Sequence, residues 1–265
     1  MTEAPLPIAK EIELIQKNYR PDGMFRALIY GISGVGKTFS LRTGRRPIHL
    51  DSFDPNGSQS IDDVIKTPEN PKGYIYVDTR FEIEDPRKPT AWNLYDKEIH
   101  RRYREGYFNH ISMYATDLTS LSTAAMNQTL AESNRHGGVP QQNDYLPAMT
   151  KIINALRFLM SLPCDVALLA HIAAREDAVT GKSTYFPLTL GKAHVTHIPL
   201  LFSEIYVAQT KETADGLRYA WLTQAAGSYT ARTRLGKNGR FDKYEPPDFK
   251  ALLKKAGKAI EDKPY

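Results

Sequence analysis

The segment at residues 31–38 restricts the possible folds of this chain more than any other feature does. It reads GISGVGKT and satisfies the pattern G-x-x-x-x-G-K-[ST]. The apolar run at residues 25–30 before it predicts a buried strand, and residues 39–42 after it predict the first turn of a helix. A glycine-rich loop between a strand and a helix is the setting in which this pattern binds phosphate. The sequence therefore predicts an α/β fold around a phosphate-binding loop.

The residue types in this loop suit a nucleoside triphosphate. Its glycines allow backbone N–H groups to surround the phosphates at the positive end of the following helix. Lys37 would reach the β- and γ-phosphates, and the Thr38 hydroxyl would bind Mg²⁺. ATP and Mg²⁺ are therefore the predicted ligands. The predicted nucleotide-binding residues are Gly31, Ser33, Gly34, Val35, Gly36, Lys37, Thr38 and Phe39.

Length and composition narrow the class of protein. The 265 residues, 41% hydrophobic and 25% charged, suit one large α/β domain or two small ones. Cys164 is the only cysteine, which excludes a disulfide framework and suits a reducing cytoplasm. No apolar run has the length of a signal peptide or a membrane span, so we expect a soluble, cytoplasmic protein. The net charge of +5 is compatible with nucleic-acid binding but does not establish it.

Strand-like and helix-like segments alternate along most of the chain. This alternation predicts a mainly parallel sheet in a single domain, with an antiparallel set of strands near the end. The predicted strands are residues 25–30, 47–51, 74–77, 111–116, 166–170, 204–209, 217–222 and 229–233. The predicted helices are residues 8–18, 94–108, 121–132, 145–162 and 246–257. Residues 80–93, 133–140 and the loop at 172–195 are expected to be irregular.

Three acidic residues are candidates for the chemistry beside the loop. Asp117 follows the fourth predicted strand, which would deliver it to the carboxyl edge of the sheet as a ligand of Mg²⁺ through water. The alternative is that Asp117 caps the next helix, and the two roles are compatible. Asp54 or Asp51, after the second strand, would orient the attacking water. Asp54 lies in a tighter turn, and its alternative role is to bond its own backbone there.

Other candidates lie farther along the chain. His171 ends the fifth predicted strand, where it can respond to the γ-phosphate, or simply be a hydrogen-bonded histidine at a strand end. Arg234, or less favourably Lys237, can serve as an arginine finger for a neighbouring subunit. The alternative is that these cations pair with surface carboxylates, which contributes little.

Two long loops combine basic and aromatic residues. This mixture suits single-stranded nucleic acid, because charge follows the backbone and rings stack on bases. The alternative is that each loop is a solvated face. The loops span residues 133–144 and 172–195, and they contain Arg135, His136, Arg175, Lys182, Tyr185, Phe186, Lys192 and His194.

The motifs taken in order resemble a known class. The series GISGVGKT, LDSFDPNG, ISMYATDLTSL, DVALLAHIAARED, ARTRLG and EPPDFKALLKKAG resembles phage-encoded nucleotide-binding proteins of the RecA-like class, an AAA-type ATP-binding family that includes single-strand annealing ATPases. The resemblance implies a RecA-like P-loop NTPase core, a mainly parallel central sheet flanked by helices, at residues 24–257. Residues 1–23 would then form an N-terminal helical extension and residues 258–265 a C-terminal tail.

The same resemblance implies roles for individual residues. Lys37 and Thr38 hold the nucleotide and Mg²⁺, Asp117 is the acid of the second strand, and His171 couples nucleotide state to a DNA-binding loop. Two positions depart from the pattern: Asp54 stands where RecA-type enzymes usually have glutamate, and His171 where RecA has glutamine.

These observations together predict an ATP-hydrolysing, RecA-like protein that acts on single-stranded DNA in phage recombination or annealing. A homo-oligomeric ring or filament is expected, in the host cytoplasm if the protein is phage-encoded. One alternative is an ATPase that loads or scaffolds replication proteins. The other is a small-molecule kinase, with the arginine-rich run at residues 101–104 as its lid.

Overall fold

A nine-stranded sheet forms the centre of the part of the chain that the structure describes. The structure is a computed structural model that describes residues 7–18, 23–176, 181, 183–191, 197–214 and 216–264. The strands of this sheet are β1 Arg26–Tyr30, β2 Ile48–Asp51, β3 Ile75–Asp78, β4 Met113–Asp117, β5 Asp165–Ala170, β8 Glu204–Thr213, β9 Gly216–Leu222, β10 Arg232–Thr233 and β11 Tyr244–Glu245. Two further strands, β6 Ile172–Glu176 and β7 Ser183–Pro187, form a separate antiparallel hairpin.

The sheet is mainly parallel. Its order is β11-β9-β8-β1-β5-β4-β2-β3, with β10 paired to β8. The pairs from β8 through β1, β5, β4 and β2 to β3 are parallel, and β9, β10 and β11 join antiparallel. Strand β1 lies between β5 and β8, so its carboxyl end, where the phosphate-binding loop begins, is surrounded by the ends of other strands.

Both faces of the sheet are covered, which explains the apolar strand sequences. Leu28 and Tyr30 of β1 pack into the core beneath the longer helices, while Ala27 and Ile29 face the opposite core. The α-helices of the described residues are α1 Ile8–Asn18, α2 Ala91–Arg104, α3 Tyr107–His110, α4 Leu118–Glu132, α5 Gln142–Leu159 and α6 Phe249–Lys255. The predicted α/β fold with a mainly parallel central sheet flanked by helices is confirmed.

Several predicted elements differ from the structure. The expected irregular loop at residues 172–195 is wrong for residues 172–176 and 183–187, which form the paired strands β6 and β7. Of the predicted strand at 229–233, only Arg232–Thr233 forms a strand, β10, because Tyr229 forms a turn with Ala226. The predicted helix at 94–108 is two helices, divided where Gly106 adopts a left-handed conformation at φ +74°.

The element after the phosphate-binding loop is shorter than a typical helix. It is a 3-10 helix at Phe39–Thr43, and it ends at Gly44, whose N–H donates to Leu41 O at 3.0 Å. The first turn that the sequence predicts is therefore present, but it does not continue as an α-helix.

Cys164 and Lys263 lie at the amino edge of the sheet. Cys164, just before β5, is buried, and burial raises the pKa of its thiol to about 12. The Nζ of Lys263 donates to three carbonyl oxygens, those of Ile111 at 2.6 Å, Pro163 at 3.2 Å and Phe108 at 3.3 Å. This lysine joins the C-terminal segment to the chain just before β4 and just before β5.

Helix α1 carries apolar side chains that face solvent. Ile8 is 75% exposed, and Ile12 and Leu14 are also exposed. Within the described residues, no helix combines the length and the apolar character needed to cross a membrane.

Candidate nucleotide-binding site

The loop at residues 31–38 is fixed between two neighbouring strands. The Gly31 N–H donates to Ala170 O at the end of β5, at 3.2 Å. On the other side, a Cβ added to Gly31 would lie 2.4 Å from Ala208 O of β8. This distance is closer than van der Waals contact allows, so only glycine fits at the start of the loop.

Two further glycines give the loop its curvature. Gly34 and Gly36 adopt positive φ angles of +80° and +77°, a region that glycine enters without steric cost. Between them, the Val35 side chain is buried in the same core as Ile29 and Leu41. The loop is therefore anchored by its middle residue, and its polar groups are free to face outward.

Lys37 lies across the loop. Its side chain is buried, and Nζ donates to Gly31 O at 3.0 Å and Ile32 O at 2.8 Å. Burial lowers the pKa of Lys37, while the charges of Asp117 and Asp54 act in the opposite direction. The ammonium group is thus held at the loop, beside carboxylates that come from two other strands.

Asp117 ends β4 and begins α4. Its Oδ1 accepts the Ser120 N–H at 2.7 Å, so the helix-capping alternative is correct. The same carboxyl group also lines the cleft beside Lys37 and Thr38. Burial raises the pKa of Asp117, opposed by the Ser120 hydrogen bond and the charge of His171. A capping carboxylate that faces the cleft retains a second oxygen for another ligand.

Asp51, the last residue of β2, and Asp54, three residues later, both line the cleft but have different environments. Asp54 is exposed and lines the cleft. Asp51 is fully buried, and its carboxylate accepts hydrogen bonds from Arg102 at 2.8 Å and Tyr114 at 2.7 Å and contacts His49 Nε2 at 2.8 Å. Burial acts to raise the pKa of Asp51, but His49, Arg102 and Tyr114 together hold it below its usual value. Because those partners occupy the Asp51 carboxylate, Asp54 is the better placed of the two to orient water.

His171 follows β5 directly and lines the cleft. Its N–H donates to Thr119 Oγ1 at 3.0 Å, and its carbonyl oxygen accepts the Leu188 N–H at 2.8 Å. The residue is therefore linked to α4, which begins after Asp117, and to the chain that follows β7.

The cleft that these residues line has a volume of about 490 Å³. This size lies within the range typical of small-molecule sites. Six of the predicted nucleotide-binding residues line it: Ser33, Gly34, Gly36, Lys37, Thr38 and Phe39. The other two, Gly31 and Val35, are buried and support the loop. A hydroxyl from Thr38 and a carboxylate from Asp117 are oxygen donors of the kind that Mg²⁺ prefers, so the residues present fit this ion.

Arg234 is not brought to this cleft. Thr233 pairs with Glu204 at the start of β8, and the Arg234 N–H donates to Glu204 Oε1 at 3.0 Å. Because Glu204 also pairs with Ala27, Arg234 lies near the amino end of β1, whereas the loop lies at its carboxyl end. Lys237 follows in a short 3-10 helix and is exposed, as is Arg234. Within one subunit, neither cation belongs to the site.

The arginine-rich run at residues 101–104 is also not a lid. Arg102 is buried and forms ion pairs with Asp51 and Asp78, and Arg101 pairs with Glu98 and Glu105.

Tyr219, which is not among the predicted site residues, lines the cleft from β9. Its position follows from the pairing of β8 with β9, and no motif in the sequence marks it. The only available signal is strand periodicity, which places Tyr219 on the same face as Trp221.

The fold and the loop together define the class of protein: a P-loop NTPase with a mainly parallel α/β core. A family model described as "AAA domain" matches residues 24–235, and the chain belongs to this family. The protein is therefore an ATP-binding P-loop NTPase, and its family implies a bound nucleotide and usually Mg²⁺.

Two solved structures are similar to this chain over most of their length. One is a KaiC-like protein from Pyrococcus horikoshii OT3, at 12% identity and a TM-score of 0.43, covering 78% of this chain and 80% of the other. The second is the flagellar accessory protein FlaH from Methanocaldococcus jannaschii, at 9% identity and a TM-score of 0.44, covering 88% of each chain. No curated protein matches the chain in sequence.

Proposed function

We propose that this protein hydrolyses ATP and acts on single-stranded DNA, as a ring or filament of identical subunits, in phage recombination or strand annealing. The observation that carries the proposal is the hydrogen-bonded connection from the nucleotide cleft through His171 to the β6–β7 hairpin. This connection gives the nucleotide a physical path to a surface that suits a nucleic acid.

The connection has two parts. In the first, His171 bonds to Thr119 and to Leu188, and the Thr119 hydroxyl donates to Leu188 O at 3.1 Å. In the second, the hydroxyl of Tyr30, the residue before the P-loop, donates to Thr230 O at 2.7 Å and lies 3.3 Å from Tyr185 O of β7. A shift at the loop or at Asp117 would therefore reach the hairpin at its base, through His171 and Leu188, and in the middle of β7, through Tyr185.

The hairpin has a surface suited to single strands. Arg175 is exposed on β6, and Tyr185 and Phe186 are half-buried on β7. The Tyr185 ring stacks on Tyr229 at 4.8 Å between centroids, which fixes its orientation. The register of the hairpin places Arg175 on the same face as Phe186 and Tyr185 on the opposite face. A positive side chain and a partly exposed aromatic ring on one face match the chemistry of backbone tracking and base stacking. Three cations predicted for this region, Lys182, Lys192 and His194, lie outside the described residues.

The other predicted DNA-binding loop, residues 133–144, is less suitable. Arg135 pairs with Asp144, the residue of α5 that also caps that helix through the Gln141 N–H. The positive charge of Arg135 is therefore paired with a carboxylate of the protein and is less available to a nucleic acid. His136 lines a separate groove beside Arg87.

The cleft residues have complementary roles in hydrolysis. Lys37 would neutralise charge on the β- and γ-phosphates, and Asp54 would orient the attacking water. Thr38 and Asp117 would hold Mg²⁺, which neutralises the charge that develops on the phosphate oxygens when it is bound. Arg234 would contribute in trans, since it lies at the opposite edge of the sheet from its own P-loop. An oligomer supplies the neighbour that this role requires.

The test is ATP hydrolysis with and without single-stranded DNA. We expect stimulation by DNA in the wild type and loss of all hydrolysis in Lys37→Ala, because the phosphates lose their buried cation. Lys254→Ala, on the exposed side of α6, is the matched lysine control and should hydrolyse ATP as the wild type does. Hydrolysis indifferent to DNA, with no DNA binding in the presence of ATP, would contradict the proposal and favour a loader or scaffold.

A further inference from the structure

The ring of Tyr219 lies directly beside the P-loop. A Cβ added to Gly36 would be 3.5 Å from Cδ1 of this ring, so the ring packs where Gly36 has no side chain. Tyr219 nevertheless remains 48% exposed and lines the same cleft as Lys37. An aromatic ring that borders a phosphate site while remaining half exposed has a face available for a ligand.

The order of strands places Tyr219 on the side where the nucleoside must lie. Strands β5 and β4, which lead to His171 and Asp117, are on one side of β1, and β8 and β9 are on the other. The γ-phosphate would lie on the first side, where Asp117 would help to hold Mg²⁺. The triphosphate therefore enters the loop from the second side, where Tyr219 projects from β9.

Tyr219 is held on a rigid element. It pairs with Thr210 in the β8–β9 ladder, and Trp221 on the same face is buried and stacks on Tyr206 at 5.4 Å. Two other aromatic rings line the cleft. Phe53 is buried and packs against Phe81 and Tyr95. The ring of Phe39 has one face covered by the Arg42 guanidinium, 4.6 Å from its centroid. A ring positioned by a paired strand loses little additional freedom when a base stacks on it.

From this geometry we propose that Tyr219 is the platform on which the base of the bound purine nucleoside triphosphate stacks. The inference rests on the proposed nucleotide-binding function of the same cleft. Stacking depends on the area of the π-face, so the platform favours purines over pyrimidines without reading the edges of the base.

The experiment compares two ligands that share the phosphates but not the base. Calorimetric titrations measure the affinity of the full chain for Mg-ATP and for Mg-tripolyphosphate. We expect Tyr219→Ala to bind Mg-ATP about tenfold more weakly, and to bind tripolyphosphate within about twofold of the wild type. Tyr219→Phe, which keeps the ring, should bind both ligands as the wild type does. Leu217→Ala is the matched control, since Leu217 is exposed on the same face of β9 two residues away.

A second readout is the preference among bases. The wild type should bind ATP and GTP more tightly than CTP and UTP, and Tyr219→Leu, which keeps apolar bulk over Gly36 but has no flat ring, should lose that preference. Unchanged ATP affinity in Tyr219→Ala, or equal losses of affinity for ATP and tripolyphosphate, would overturn the proposal that the base stacks on Tyr219. The role of Tyr219 would then be to pack against the loop. If the wild type binds neither ligand, the proposed function itself is wrong. If the wild type binds both ligands and Lys37→Ala binds neither, nucleotide binding by this cleft is supported whatever the result for Tyr219.

Discussion

Asp78 ends β3, the outermost strand on one side of the sheet, and forms ion pairs with two arginines. These ion pairs make the free energy of unfolding depend on pH under acidic conditions. Its carboxylate bonds to Arg80 at 2.6 Å and to the buried Arg102. Burial acts to raise its pKa, but the hydrogen bonds from Arg80 and Arg102 lower it to about 2. A folded-state pKa below the usual value means that the stabilisation is present above about pH 4 and is lost as the pH falls through about 2.

We therefore predict that Asp78→Asn removes part of the acid dependence of stability. At pH 7 this variant should be less stable than the wild type by about 1–2 kcal/mol, and the difference should shrink between pH 4 and 2. Urea unfolding at a series of pH values measures this difference in the free energy of unfolding. Asp62→Asn, at an exposed carboxylate, is the matched control. A constant difference between Asp78→Asn and the wild type at every pH would contradict the prediction.

Single residues show where sequence reasoning is sufficient and where it fails. The positions of the loop residues are predictable because the P-loop pattern is local, and six of the eight predicted residues line the cleft. The environment of Asp51 is not local, since Arg102 comes from a helix about 50 positions later in the chain. Tyr219 is missed for the same reason, because its contact with Gly36 depends on two strand pairings.

The β6–β7 hairpin is the element on which the proposed DNA reaction depends. We predict that Arg175→Ala weakens binding of single-stranded DNA in the presence of ATP and reduces the slope of log affinity against log salt by about 0.7, as expected for one lost phosphate contact on a single strand. Fluorescence anisotropy with a labelled oligonucleotide at several salt concentrations measures both quantities.

Lys254→Ala serves as the control for this series, because it also removes one exposed cation but lies on α6, away from the hairpin. If both variants change the salt slope equally, the effect reflects net charge and not a contact made by the hairpin.

Elements are predictable from the sequence where burial leaves a strong pattern. Strands β1 and β5 are continuous apolar runs because helices cover both faces of the sheet, and such runs are visible without a structure. The β6–β7 hairpin is half exposed and leaves a weaker pattern. It is supported by the turn at Tyr229, more than 40 residues later, through the stacked ring of Tyr185.

At the scale of the whole molecule, the C-terminal segment closes the amino edge of the sheet. We predict that Lys263→Met lowers the free energy of unfolding by about 1–3 kcal/mol, because three carbonyl oxygens lose their common donor. Thermal or urea unfolding measures the effect, with Lys254→Met as the matched control. A variant as stable as the wild type would show that water replaces the ammonium group without cost.

Cooperation between subunits can be tested by mixing two inactive proteins. Lys37→Ala retains Arg234 but lacks a working loop, and Arg234→Ala retains the loop but lacks the cation. If Arg234 acts on a neighbour, an equimolar mixture should recover about one quarter of the wild-type rate of ATP hydrolysis, from random pairing at each interface. No recovery in a mixture shown by sedimentation to have exchanged subunits would exclude this role for Arg234.

The burial of Cys164 makes the natural chain a ready template for spectroscopy. A thiol whose pKa is about 12 and which solvent does not reach reacts slowly with maleimides, so the native residue can stay in place during labelling. Cysteines introduced at exposed positions, such as Thr184 on the hairpin and Lys254 on α6, would carry a donor and an acceptor dye. The distance between the dyes, followed during nucleotide turnover, would report directly whether the hairpin moves.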